Sequence, residues 1–190
     1  LINAGQTHMF QYVRLESYDD TFHNIQFREI DGPQKKLLAE MPDYLISYLL
    51  DHETAGSPTL LDVERFKKPY DYQLLVTGQG GVLSPLPVDL VATFNFLLGL
   101  TVKTIRYFNR GEEAPPYVRV VGKNPEGKQV CVVWRNVPDA AAMDGERDWL
   151  LSSVLKDIDY DKLYLNGEST VPEALSTEEE FKRRMFEGVQ

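Results

Sequence analysis

The sequence predicts a mixed α+β fold, in which a helical N-terminal part at 31–99 packs on a small mixed β-sheet at 100–170. Two observations predict this class. A short helix pattern at 89–98 leads directly into three β-rich runs, and a strand–helix–strand succession follows them. A chain of 190 residues with 43% hydrophobic residues is long enough to bury one core. We therefore expect one main α+β domain over 31–190.

The helix pattern at 89–98 has its apolar residues on one face. They are Leu90, Val91, Phe94, Leu97 and Leu98. Their spacing matches the 3.6-residue period of an amphipathic helix that buries this face. Pro87 suits the first turn of such a helix, and Gly99 suits the position after its last turn. Local signals thus mark both ends of the helix.

The three β-rich runs lie at 101–108, 117–121 and 129–134. The last two flank residues 122–128, whose sequence GKNPEGK has the Gly, Asn and Pro typical of a hairpin loop. Cys131 falls inside the third run, so we expect it to be a core residue and not a nucleophile.

A second unit follows the hairpin. A helix pattern at 147–155 and a strand pattern at 162–165 indicate a parallel β-α-β crossover that starts from the third run. The C-terminal helix is expected at 176–187, where Ser176 and Glu179 form the start of a capping box.

Short elements are predicted upstream of the helix at 89–98. They are a strand at 10–16, helices at 35–41, 43–52 and 60–66, a strand at 71–76 and a loop at 78–87. Pro42 interrupts the apolar stripe of the first two helices, so we expect the second helix to open there.

Charge and composition exclude some functions. The net charge is −9, whereas an isolated domain that grips DNA phosphates is usually basic. No apolar run approaches the length of a membrane span, and a single cysteine excludes an internal disulfide. A cytoplasmic protein is the simplest expectation.

Four cations nevertheless alternate with aromatic residues on the first two β-rich runs. Lys103, Arg106, Arg119 and Lys123 are therefore the candidate nucleic-acid contacts, with Tyr107 and Tyr117 between them. The alternative, a solvated strand face with alternating charges, stays open.

Candidate catalytic groups are weaker. The glycines of 78–81 are separated from the next helix, unlike those of a phosphate loop, and 126–128 fits a turn better than half of a metal-dependent nuclease site. The remaining groups lack ligand or nucleophile spacing. They are His8, His23 and His52, and the aspartates Asp157, Asp159 and Asp161. We expect no catalytic and no metal-binding residue.

Five stretches carry a resemblance to a known family. They are FQYVRLESYDDT at 10–21, and 41–74, 88–103, 118–135 and 163–186. Together they resemble the C-terminal region of large adenine-specific DNA methyltransferases, the modification subunits of type III restriction systems and their relatives. The resemblance covers most of the chain in the expected order.

The resemblance implies that the full-length protein transfers a methyl group from S-adenosylmethionine to adenine N6 in DNA. That chemistry needs an (Asp/Asn)-Pro-Pro-(Tyr/Phe) motif and a Phe-x-Gly-x-Gly loop. Neither occurs here, and the nearest approach is the tetrapeptide KPYD at 68–71. No catalytic or cofactor-binding residue is therefore assigned, and this chain is expected to bind no S-adenosylmethionine by itself.

On the same basis, residues 1–30 are expected to be a strand segment that trails from an upstream catalytic domain. Residues 31–190 would be a non-catalytic C-terminal domain that serves subunit assembly, DNA engagement or both. Its implied partners are a restriction subunit or a second copy, and DNA through the full-length protein. The alternative is a stand-alone metal-dependent nuclease or another DNA-processing enzyme.

Overall fold

The computed structural model describes Ser17, Asp20, Asn24 and the ranges 63–78, 80–111, 115–139, 143 and 145–186. In these residues the predicted α+β class is confirmed, because helices pack on a two-stranded and a five-stranded sheet. The strand predicted at 10–16 and the helices predicted at 35–41 and 43–52 lie outside the described residues.

The elements follow one another along the chain in a simple order. They are two 3₁₀ helices (Val63–Lys67, Pro69–Asp71), β1 (Gln73–Thr77), β2 (Leu83–Pro87), α1 (Leu90–Leu97), β3 (Thr101–Phe108), β4 (Tyr117–Lys123), β5 (Gln129–Trp134), α2 (Glu146–Trp149), a π-helix (Leu150–Val154), β6 (Lys162–Leu165), β7 (Leu175–Ser176) and α3 (Thr177–Phe186). The large sheet has the order β3-β4-β5-β6-β7. Its first three strands are antiparallel and its last three are parallel.

The strands predicted at 101–108, 129–134 and 162–165 are confirmed at both ends. Strand β4 continues to Lys123, so the hairpin loop is shorter than predicted. Gly122 belongs to the ladder. A Cβ at this position would lie 2.6 Å from the Thr101 carbonyl oxygen, so only glycine fits there. Its glycine therefore marks a close backbone approach inside the sheet and not a turn.

The predicted crossover is also confirmed, since β5 and β6 are parallel and the helix between them spans α2 and the π-helix. Leu155 N donates to Leu150 O at 2.8 Å, five residues back. This wider turn is the one feature of the crossover that its apolar periodicity does not predict.

Helix α1 ends as predicted but starts differently. Gly99 has φ +60°, and the amides of Gly99 and Leu100 donate to Phe96 O and Asn95 O at 2.9 and 2.8 Å, which is a Schellman motif. The start is set by Asp89, whose carboxylate accepts from Ala92 N at 2.9 Å. The first-turn placement of Pro87 is wrong, because this proline ends β2.

The loop predicted at 78–87 is wrong, because it contains the second strand of an antiparallel hairpin. Gly78 N donates to Val82 O and Val88 N donates to Tyr72 O, each at 2.9 Å. Alternate residues between these two pairs therefore have outward-facing nitrogens, and Pro85 and Pro87 occupy such positions. The prolines remove no ladder hydrogen bond, so the strand tolerates them.

The outer edge of β1 is held by two side chains four residues apart in helical backbone. Asp20 accepts from Thr77 N at 2.7 Å and from Thr77 Oγ1 at 2.6 Å. Asn24 accepts from Leu75 N at 2.6 Å and donates to Leu75 O at 2.9 Å. These two side chains thus bind backbone groups two residues apart on the strand.

The inner strands β4, β5 and β6 of the five-stranded sheet are buried on both faces, whereas β3 is exposed. On one face, here called the α1 face, Phe94 and Trp134 are fully buried with ring centroids 5.7 Å apart, and Phe181 of α3 joins them. On the other, the α2 face, the π-helix packs Leu150 and Val154 against the sheet. Cys131 is buried on this second face, as predicted.

Candidate functional site

Arg119, one of the four predicted nucleic-acid contacts, is buried with 3% exposure. It lies on the α2 face, where its Nη1 donates to Val154 O and its guanidinium stands 5.0 Å from the Phe108 ring centroid. Burial lowers the pKa of this guanidinium, and the nearby Arg106 charge lowers it further. Arg119 is therefore a packed side chain, and its assignment to an exposed cationic surface does not fit the structure.

The other three predicted contacts, Lys103, Arg106 and Lys123, are exposed. In the described parts of the chain, none of them forms an ion pair. The expected alternation with aromatics is absent, however. Tyr107 points to the face opposite Arg106, because neighbouring strand residues alternate, and Tyr117 is buried. A base-stacking surface with interleaved cations is not formed here.

A buried ion pair lies at the carboxyl ends of β5 and β6. Arg135 Nε donates to Glu146 Oε1 at 2.6 Å, and both side chains have zero exposure. Arg135 also donates to the carbonyls of Asn166 and Glu168, and the Asn166 amide donates to Phe66 O at 2.7 Å. The network therefore ties the crossover helix, two strand ends and a 3₁₀ helix together.

Tyr117 completes this network by donating to Glu146 Oε1 at 2.8 Å. Burial and this hydrogen bond raise the pKa of Tyr117. Arginine, glutamate and tyrosine are residue types that often act in catalysis. Here the Arg135 and Glu146 side chains are inaccessible to a substrate, so the network stabilises the fold. The sequence patterns do not predict this network, although Arg135 and Asn166 directly follow two parallel strands, where functional side chains often lie.

A small pocket of about 360 Å³ lies between the hairpin loop and α3, lined by Glu126, Lys128, Lys162, Arg183 and Arg184. Its arginines are not free cations. Glu180 accepts from Arg183 at 2.9 Å and from Arg184 at 3.0 Å. Although partial burial raises the pKa of Glu180, these hydrogen bonds hold it below its usual value. Glu180 therefore offsets part of the positive charge of the two arginines.

A groove of about 1080 Å³, here called the α1–β3 groove, lies elsewhere on the surface of the described residues. It runs between helix α1 and strand β3, and its floor includes Val118 and Tyr70. Four exposed apolar side chains line it. They are Phe96, Val102, Ile105 and Tyr107, at 66, 39, 47 and 68% exposure. Such a concentration of exposed apolar surface is typical of a binding site.

Asn95 is a polar member of the same groove. It is 9% exposed, and its Oδ1 has no hydrogen-bond partner among the described residues. A buried acceptor without a donor costs stability unless a ligand or water supplies the hydrogen bond.

Strand β3 forms one wall of the groove and is an edge strand of the described sheet. Seven of its eight residues pair on one side with β4, with Lys103 at a register shift, and no hydrogen bond joins the other side to any described residue. A row of backbone donors and acceptors therefore lies beside the apolar surface.

The remaining candidate motifs have structural roles. Gly80 and Gly81 have φ of +85° and +76° in the turn between β1 and β2, away from any helix start. Asn124 accepts from Lys128 N at 2.9 Å, which confirms the turn predicted at 126–128. Asp161 accepts from Gln129 N at 2.7 Å. His8, His23 and His52 lie outside the described residues.

No group of three or more His, Cys, Asp or Glu side chains in the described ranges is arranged to hold a metal ion. Within the same ranges, no helix combines the length and apolarity needed to cross a bilayer. Comparisons of the chain with protein-family models, with curated proteins and with solved structures found no match in any of the three.

Proposed function

We propose that this chain is a non-catalytic C-terminal domain of a DNA (adenine-N6) methyltransferase of a restriction–modification system, and that its role is subunit assembly. The five stretches that resemble this family support its origin. The α1–β3 groove supports the assembly role, because it joins exposed apolar side chains to a strand edge that pairs with no described residue. S-adenosylmethionine and DNA would bind to the catalytic part of the full-length, cytoplasmic enzyme.

DNA engagement by the domain itself has less support. Three exposed cations, Lys103, Arg106 and Lys123, remain of the predicted four, on a chain with a net charge of −9. Each phosphate contact releases counterions, and three such contacts are fewer than the six to ten typical of strong duplex binding. Assembly is therefore the preferred role of the two. No observation among the described residues favours the nuclease alternative.

The proposal is tested on the complete reading frame that encodes the chain. We expect its upstream part to contain the (Asp/Asn)-Pro-Pro-(Tyr/Phe) motif and the Phe-x-Gly-x-Gly loop. Its product is expected to transfer methyl groups from labelled S-adenosylmethionine to adenine in duplex DNA. The proposal would be contradicted by a reading frame that lacks both motifs. It would also be contradicted by magnesium-dependent cleavage of duplex DNA by the 190-residue chain.

The assembly role has a separate test. We expect Ile105→Asp in the full-length protein to reduce the mass of the complex in sedimentation velocity, while its methyl transfer persists. Leu151→Asp is the control, because Leu151 is a similarly exposed apolar residue outside the groove, at 40% against 47%. Equal masses for both variants would contradict the assembly role.

A further inference from the structure

We propose that the α1–β3 groove binds an extended segment of a partner protein, which adds as a strand to β3 and carries apolar side chains on one face and carboxylates on the other. This inference rests on the proposed assembly role and specifies its partner. Four features of the groove lead to it, and each determines one property of the occupant.

The backbone of β3 determines that the occupant is extended. The strand has eight residues, and its outer edge makes no hydrogen bond to the described residues. This length is sufficient for pairing with a strand of ordinary size. Main-chain hydrogen bonds along such an edge are the usual source of affinity in strand addition.

The α1 face of β3 determines that alternate side chains are apolar. Ile105 and Tyr107 lie opposite Val120 and Val118 of β4, so the apolar surface of the core continues to the sheet edge. Phe96 forms the opposing wall from helix α1. A strand added to β3 would place every second side chain between these walls.

The α2 face of β3 determines the charge. Arg106 lies directly opposite Arg119, and such like charges across a strand pair are unfavourable. Neither arginine forms an ion pair with any described residue. A carboxylate from an added strand would lie next to Arg106 and reduce this repulsion. A second copy does not fit as well, because β3 contains Lys103 and Arg106 but no acidic residue.

Asn95 determines one polar contact on the apolar side. Asn95 is one of the residues that line the groove, and its Oδ1 is buried without a donor among the described residues. An N–H or O–H group of the occupant would supply this hydrogen bond.

The test uses the 190-residue chain and three fluorescein-labelled peptides. The first alternates Glu with Val and Ile, the second replaces each Glu by Lys, and the third is the first with N-methyl groups at alternate residues. We expect the first peptide to bind in fluorescence anisotropy and the other two to bind at least about tenfold more weakly. The Lys peptide carries the wrong sign of charge for Arg106, and the N-methylated peptide lacks the backbone donors that would pair with β3.

Variants of the chain then locate the binding. Tyr107→Ala is expected to weaken the Glu peptide about 30-fold, as for a central aromatic anchor, and Arg106→Ala about threefold to fivefold. Asn95→Leu is expected to weaken it about threefold to tenfold, without lowering the Tm of the free chain. Leu151→Ala and Lys156→Ala are the matched controls outside the groove and should bind like wild type.

Three outcomes would overturn the proposal. They are equal binding of the Glu and N-methylated peptides, wild-type affinity of both Tyr107→Ala and Arg106→Ala, and displacement of the peptide by a short DNA duplex or by dimerisation of the chain. The last would assign the groove to nucleic acid or to a second copy. Each leaves the upstream methyltransferase motifs unaffected, so failure here is distinct from failure of the proposed origin.

Discussion

Replacing Glu146 by Gln removes one charge from the buried pair and leaves the other. Arg135 would keep its hydrogen bonds to the carbonyls of Asn166 and Glu168, but its charge would lose its only ion-pair partner among the described residues. The new amide would also place N–H groups near the Arg135 guanidinium, so that donors face donors. Tyr117 could still donate to the amide oxygen.

The expected cost follows from the burial of both groups. Breaking a buried pair by removing one partner costs about 3–5 kcal/mol, because an uncompensated charge stays in the interior. Domains are stable by only about 5–15 kcal/mol, so the variant would lose a large part of its stability. In a double variant with Arg135→Met and Glu146→Leu, the loss should be smaller than the sum of the two single losses.

Glu180→Gln is the matched control. It makes the same substitution in an ion pair on α3, where the Arg183 and Arg184 side chains are 48 and 25% exposed. Pairs of this kind contribute about 0.2–1 kcal/mol and weaken with salt. The two variants therefore differ mainly in the burial of the pair.

The assay is urea unfolding followed by tryptophan fluorescence. Trp134 is fully buried and Trp149 contacts Tyr117 at 4.7 Å between ring centroids, so both report on this region. The free energy of unfolding should fall several times further for Glu146→Gln than for Glu180→Gln. Equal losses, or a loss below about 1 kcal/mol at Glu146, would refute the argument that burial makes this pair essential.

Three further predictions concern the core, the thiol and DNA. Phe94→Ala should cost about 3–5 kcal/mol in urea unfolding, whereas Phe96→Ala on the same helix, at 66% exposure, should cost less than about 0.5 kcal/mol. Burial raises the pKa of Cys131 from 9.0 to about 12. The stability that the neutral, buried thiol contributes is therefore complete below pH 9 and is lost as pH rises to 12. Between about pH 8 and pH 10.5, the unfolding free energy of Cys131→Ala should fall by about 2 kcal/mol less than that of wild type. Duplex binding should be no tighter than about 10⁻⁴–10⁻⁶ M, and a Lys103→Ala, Arg106→Ala variant should reduce the slope of log K against log salt by about 2; an unchanged slope would exclude these cations.

The positions of several helices and strands follow from local sequence signals alone. The apolar period of α1 placed Phe94 in the core, and Gly99 ended the helix because it adopts a positive φ without strain. The β-rich runs predict β3, β5 and β6 at their observed ends. These outcomes depend on residues within one or two turns of each other, so a single stretch contains the information.

The accessibility of each side chain, in contrast, depends on the tertiary structure. Arg119 and Arg106 are similar in the sequence, yet one is buried under the crossover helix and the other is exposed at the sheet edge. Arg135 and Glu146 became an ion pair because the crossover returns α2 to the end of β5. The α1–β3 groove likewise exists because β3 is an edge strand of the sheet that the described residues form. Burial of a strand residue depends on the element that covers its face, and a distant part of the chain supplies that element.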